Sequence, residues 1–168
     1  MGDDASPRRP SRCASGWKLA ACVAPGSAPA PDSFGRAAAL AAKLADTTQA
    51  QHDRFFGTQI EYLAPDGRSR LWAAGRAGIV DGQWLTRAGP RPGEAAQLCF
   101  RYGADRALAV DPAQGGNWTC RDGAGYLGTR SGSAAGDPLG LATGRPLPPL
   151  PADRAIGLAE AAGIAAPG

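Results

Sequence analysis

One histidine, one methionine and only two lysines are present among 168 residues. With a single imidazole, His52, a zinc centre lacks its common nitrogen ligands. Acid–base chemistry likewise has one histidine to draw on. No run approaches the roughly 18–20 apolar residues that span a bilayer. A C-x-x-C pair is missing, so a thioredoxin-like redox site has no basis. There is no G-x-x-x-x-G-K-[S/T] string to cradle a phosphate. Neither a metal site nor a cofactor is read from this chain.

Excess charge is also scarce. The formal net charge is +3, and sixteen of the eighteen basic residues are arginine. Arg8, Arg9, Arg12 and Lys18 fall in the first thirty residues against Asp3 and Asp4, which leaves the remainder close to balance. A short basic arm on a nearly neutral body makes no case for nucleic-acid binding.

Glycine and proline are abundant, at 24 and 15 residues, and taken together they are denser in the two ends. A packed core is hard to build from such segments. Trp72, Trp84 and Trp118 lie between them. The organisation expected is an N-terminal export signal or disordered arm over 1–30, a β-rich domain over 31–130, and a Gly/Pro-rich tail with a short helix over 131–168. Three features of the arm point to export. Leu19–Pro25 is a short apolar segment behind the basic residues, Ala28-Pro29-Ala30 fits an A-x-A cleavage site, and Leu19-Ala20-Ala21-Cys22 resembles a lipobox that would lipidate Cys22. Proline and glycine close the apolar segment early, so a cytoplasmic chain with a disordered arm, or a misassigned start, stays open beside export.

Cys13 and Cys22 fall in the arm, which leaves Cys99 and Cys120. An even pair reads as a disulfide in an oxidising compartment. Two buried free thiols are the alternative.

Residues 32–54 read as an alanine-rich helix capped by Asp32 or Ser33, with Ala37, Leu40, Ala41 and Leu44 on one face. Thr47-Thr48 is a point where it can end early. Short strands follow. Thr58–Ala64 places Ile60 and Tyr62 on one side and Gln59, Glu61 and Leu63 on the other. Pro65-Asp66-Gly67-Arg68 is a tight turn. Ser69–Ala74, Ile79–Arg87, Gln97–Tyr102 and Asn117–Arg121 continue the meander, and Ala107–Val110 is a further short strand. The expected fold class is α+β, mainly antiparallel β: a small meander sheet or partly closed barrel with one N-terminal helix and a disordered C-terminal tail.

The strings GTQIEYLAPDGRSRLW, GQW, LCFRYG and GGNWTCR resemble a group of small, uncharacterised bacterial exported proteins. These share an E-Y-x-x-x-D-G-R turn, a G-x-W strand, an L-C-F-x-Y strand and a W-x-C strand. The resemblance covers about residues 55–121, with Gly136–Ala142 also similar. It implies a periplasmic or envelope location and a Cys99–Cys120 disulfide, and it implies no activity.

Each candidate for chemistry has a blander reading beside it. A Cys99/His52 or Cys120/His52 nucleophile pair is conceivable, yet disulfide-bonded cysteines carry no thiolate. Glu61 and Asp66 read as a solvent-facing glutamate and a turn-capping aspartate rather than an acid–base pair. Ser131 and Ser133 fall in a flexible Gly/Ser segment without a base. The run Arg145, Pro146, Leu147, Pro148, Pro149, Leu150, Pro151 matches proline-rich ligands of Src-homology-3 domains; its alternative is a stiff strap. Tyr62, Trp72, Trp84 and Trp118 read as core rather than binding surface, because a small domain has few other large residues to bury. The function expected is a non-catalytic, exported binding or scaffolding module with an unidentified envelope partner. A proline-motif ligand and a small enzyme are the alternatives.

Overall fold

Helix α1 spans Pro31–Leu44 in the computed structural model, which describes residues 31–103 and 117–166. Proline suits a first helical turn, and the alanine-rich body propagates it. Ala37, Leu40 and Leu44 recur at helical spacing and are buried. The helix stops nearly three turns before residue 54, where the sequence pattern carries it. Asp46 adopts a left-handed φ of 56°, and the Thr47 hydroxyl donates to the Leu44 carbonyl at 2.6 Å. Thr47–Asp53 is then strand β1, not helix. The segment alternates, with Thr48 and Ala50 buried on one face and the glutamines on the other. Ladders on both sides of β1 outweigh a helix propensity that local composition alone suggests.

Strands β2 (Gly57–Leu63), β3 (Arg68–Ala73), β4 (Val80–Arg87), β5 (Gln97–Tyr102) and β6 (Thr119–Asp122) form an antiparallel meander. Helix α2 (Gly123–Gly128) follows, and β7 (Arg130–Ala135) returns to pair with β1. The sheet runs β6-β5-β4-β3-β2-β1-β7 and curls into a half-barrel, so the fold is α+β and mainly antiparallel. The β2–β3 turn forms as read. Gly67 has φ of 83°, and Asp66 accepts from the Arg68 amide at 3.1 Å. Ser131 and Ser133 lie in β7 rather than in a flexible segment, because pairing with β1 supplies their backbone partners. The arm carrying Cys13, Cys22 and Ala28–Ala30, the side chains of the expected caps Asp32 and Ser33, and the strand expected at 107–110 lie outside what is described.

Both faces of the sheet are covered. On one, which we term the helix face, α1 lies across β4, and Thr86 Oγ1 donates to the Ala37 carbonyl at 2.9 Å. Beneath it Leu63, Leu71, Trp84, Leu98 and Phe100 form the first core, bordered by Tyr126 of α2. On the other, Ala50, Ile60, Tyr62 and Trp72 meet the C-terminal segment. The disordered tail expected there gives way to order over 136–166. Leu139, Leu147, Leu150 and Ile156 are buried, Leu141–Thr143 forms a 3-10 turn, and Leu158–Ala165 is helix α3. Trp72 Nε1 donates to the Pro148 carbonyl at 2.9 Å. Leu150 pairs as a parallel bridge with Ala74. The Ile156 amide donates to Thr58 Oγ1 at 2.9 Å. Few apolar residues were needed to anchor this segment, which is why its Gly/Pro composition conceals its order.

Tyr62, Trp72 and Trp84 are therefore core, whereas Trp118 is 36% exposed beneath the Arg101 guanidinium. Urea unfolding should separate them. Trp72→Ala is expected to cost about 3–5 kcal/mol, and Trp118→Ala about 0.5 kcal/mol or less. Equal effects would contradict this division.

Candidate functional site

Glu61 is the one carboxylate sunk into the helix-face side of the sheet among the described residues. Alternation along β2 puts it on the same side as Leu63, and its cross-strand partners are Gln49 and Leu71. It is 7% exposed. The Tyr102 hydroxyl, delivered from β5, donates to Glu61 Oε1 at 2.6 Å. Burial pushes the Glu61 carboxyl up from 4.5 to about 7, against the opposing pull of the Tyr102 hydrogen bond, nearby Ser69 and the Arg121 charge. Tyr102 is itself held well above the usual tyrosine range by burial and by Glu61. Ser69 Oγ is fully buried and has no hydrogen-bond partner among the described residues.

Gly82 on β4 makes this pair geometrically feasible. A Cβ there would lie 2.5 Å from the Tyr102 ring and 2.6 Å from Ser69 Oγ. The missing side chain lets the ring lie flat on the sheet and reach Glu61. Phe100 stacks beside Tyr102, with ring centroids 6.2 Å apart, and Tyr126 tilts against Phe100 at 5.8 Å.

Around Glu61 the side chains turn polar. Gln49, Gln51, Gln59, Arg121 and Tyr126 line a cavity of about 20 Å³ with it, alongside Phe100 and Tyr102. That volume admits one water molecule. Gln49 is fully engaged. Its Nε2 donates to Thr47 Oγ1 at 2.6 Å, and its Oε1 accepts from Arg130 at 2.8 Å. Gln51 is not, since its Nε2 is buried without a partner. Arg121, exposed at the rim, lies over the Phe100 ring at 6.0 Å. The arrangement can hold a small polar group between amides, a guanidinium and a carboxyl that titrates near neutrality.

The residues singled out in the sequence are scattered relative to this cleft. Cys99 and Cys120 are bonded to each other, directly opposed in the β5–β6 ladder. The bond anchors the short strand whose next residue, Arg121, reaches the cleft. His52 is exposed on β1, with Nδ1 3.2 Å from Thr58 Oγ1 on the opposite face. Both cysteines are bonded to each other and β1 is not a neighbour of β5 or β6 in the sheet, so the Cys/His pairing does not form. Asp66 is an exposed turn residue paired with Arg68 at 2.6 Å. The proline-rich run is used within the fold. Leu147 and Leu150 are buried, and the Arg145 guanidinium donates to the Leu139 and Ala165 carbonyls. The leucines that a partner groove would need are already packed in this fold.

Glu61 corrects the sequence reading as well, since it does not face solvent. Its alternation with Leu63 was a usable signal. What lay beyond the sequence was the return of β7 and the depth at which Tyr102 meets it. Among the described residues no group of three His, Cys, Asp or Glu side chains is placed to hold a metal ion. No helix among them is long and apolar enough to cross a membrane.

Two measurements check the site. Below about pH 4.5 Glu61 is neutral in folded and unfolded chains alike. As pH rises toward 7, the unfolded chain ionises and the folded one resists, so stability falls by about 3 kcal/mol and then levels. Glu61→Gln should abolish that slope in urea unfolding at pH 5 and pH 8; an unchanged slope would assign it elsewhere. Replacing both Cys99 and Cys120 with alanine should cost roughly 3 kcal/mol, and its amide hydrogen exchange should quicken first in β6.

No protein-family model, curated protein or solved structure matches this chain, so the reading of the cleft rests on its geometry.

Proposed function

We propose that this protein is a non-catalytic, exported binding module of the cell envelope that holds a small polar ligand in the Glu61 cleft. The observation carrying the reading is the lining of the cleft, where the polar side chains of Gln51, Gln59 and Arg121 surround a desolvated carboxyl. Buried polar groups are nearly always satisfied, and burying a carboxyl against its solvation is unfavourable. A fold that needed this region only for packing would fill it with apolar side chains, as it does under α1.

Export is supported by the disulfide, which persists in oxidising compartments, and by the resemblance carried on residues 55–121. Scaffolding of an envelope partner fits the same location, but the cleft favours a small ligand.

The test is a thermal-shift screen of small polar metabolites with the oxidised protein and with Gln51→Leu. At least one compound should raise the melting temperature of the parent by several degrees and leave the variant unmoved. Equal shifts in both proteins, or none in the parent, would remove the cleft as the binding site. For location, the protein recovered from envelope fractions of its own cells should show Cys99 and Cys120 resistant to alkylation without reductant. Alkylation of both in a cytoplasmic fraction would overturn export.

A further inference from the structure

The unsatisfied groups around Glu61 are not evenly divided between donors and acceptors. Two buried polar atoms lack a partner among the described residues: the Gln51 Nε2 donor, which lines the cleft, and Ser69 Oγ, which can donate or accept. Arg121 at the rim offers only donors and has no hydrogen-bond partner among the described residues. Arg130 adds a second positive charge nearby, fixed on Gln49 and on the Leu127 carbonyl at 3.0 Å. A cationic ligand would leave the Gln51 donor unpaired and would face two guanidiniums. A neutral sugar would satisfy the amide but would make no use of the Arg121 charge. An acceptor-rich anion satisfies both. A planar carboxylate matches the fork of a guanidinium, and two oxygens can also reach the two glutamine amides. The cavity admits about one water, so one carboxylate oxygen would enter it and the rest of the molecule would lie outward, along Gln59 and Arg121.

On that basis, and resting on the cleft-binding reading above, we propose that the cleft binds a small carboxylate-bearing molecule, its carboxylate taking donors from Gln51, Gln59 and Arg121 and sharing one proton with the carboxyl of Glu61. Two carboxylates in contact cannot both stay ionised. The ligand enters as its anion, Glu61 takes one proton from solvent where it is ionised, and the resulting acid donates to the ligand oxygen. The position of Glu61 makes this uptake inexpensive, because burial already holds its carboxyl near 7.

Other groups facing Glu61 do not titrate in competition. Tyr102 on β5 and Tyr126 on α2 are held above the usual tyrosine range by burial. Ser69 on β3 and the glutamines of β1 and β2 do not ionise. Arg121 on β6 and Arg130 on β7 contribute guanidinium groups. His52 lies on the opposite face. Between pH 6 and 8 Glu61 is therefore the group whose charge change governs binding.

The experiment uses full-length, oxidised, nitrogen-15-labelled protein. Sodium acetate, ethylammonium chloride, glucose and sodium chloride are titrated at pH 6, 7 and 8, and the side-chain amide resonances of Gln51 and Gln59 are followed. Acetate should shift both saturably. Its affinity should change little from pH 6 to 7 and fall by up to about tenfold from pH 7 to 8 as one proton must be taken up. Glu61→Gln should bind acetate with the same affinity at all three values, and Gln51→Leu should bind it at least fivefold more weakly. Should Glu61→Gln fail to fold, the pH profile of the parent and the Gln51→Leu loss carry the test. Acetate affinity independent of pH in the parent would overturn the shared proton, and chloride shifts matching those of acetate would overturn carboxylate recognition. Saturable shifts with glucose or ethylammonium, but not acetate, would overturn the ligand class while leaving the cleft as a binding site. No saturable shift from any probe would overturn both.

Discussion

An open sheet with apolar side chains on both faces cannot remain bare on either, and the rest of this structure follows from that constraint. Successive residues of a strand point to opposite sides, so β2 alone sends Ile60 and Tyr62 one way and Glu61 and Leu63 the other. Trp72 and Leu71 split in the same manner on β3. Helix α1 covers one side with Ala37, Leu40 and Leu44. The C-terminal segment covers the other with Leu147, Leu150 and Ile156. Without that second cover, Trp72 would be exposed and its indole N–H would lose the Pro148 carbonyl. The tail is thus structural, although its composition resembles that of a linker.

The cleft arises where the first cover runs out. Helix α1 lies over β4 and does not extend across β1 and β7, so the helix-face positions on β1 are glutamines rather than leucines. Glu61 sits at the boundary. It is deep enough to be desolvated by Phe100, Tyr102 and Tyr126, and close enough to the open end to border Gln51 and Arg121. The two features depend on each other. Tyr102 reaches Glu61 only because Gly82 leaves room for its ring, and Arg121 reaches the rim only because the disulfide secures a four-residue strand. A binding site here is the unfilled margin of a core, supported by the same residues that make the core stable.

How much of this was legible in the sequence depended on whether the signal was local. The β2–β3 turn was readable from Pro65, Asp66 and Gly67, whose dihedral preferences act within four residues. Strands β2 to β5 were readable from alternation, and the cysteine pair from its parity. Strand β1 was not, because Ala, Gln and Thr carry weak and conflicting preferences and continue the pattern of an alanine-rich helix. Its identity comes from pairing with β2 and β7. Strand β7 was hidden for the same reason. Arg-Ser-Gly-Ser-Ala-Ala has no apolar alternation to show. Glu61 was visible as a residue on the same side as Leu63, but its burial depends on Tyr102, 41 residues away.

The proline-rich run shows why a motif names a physical propensity rather than a partner. A polyproline segment is stiff before it binds, so docking it loses little conformational entropy. Leucines spaced along such a rod seek aromatic grooves, and an adjacent arginine seeks acceptors. Every one of these requirements is met within this chain: the leucines by the Trp72 side of the sheet, the carbonyl of Pro148 by the indole, and Arg145 by backbone carbonyls. Covalent attachment makes the encounter intramolecular, so the internal groove competes at high effective concentration with any external one. An outside domain would have to displace these contacts and expose Trp72, Leu147 and Leu150 to water. At roughly 25 cal/mol per Å² of apolar surface, that exposure opposes most of what a short peptide could gain. The same sequence that would recruit a partner from a disordered tail instead closes the second face of this sheet.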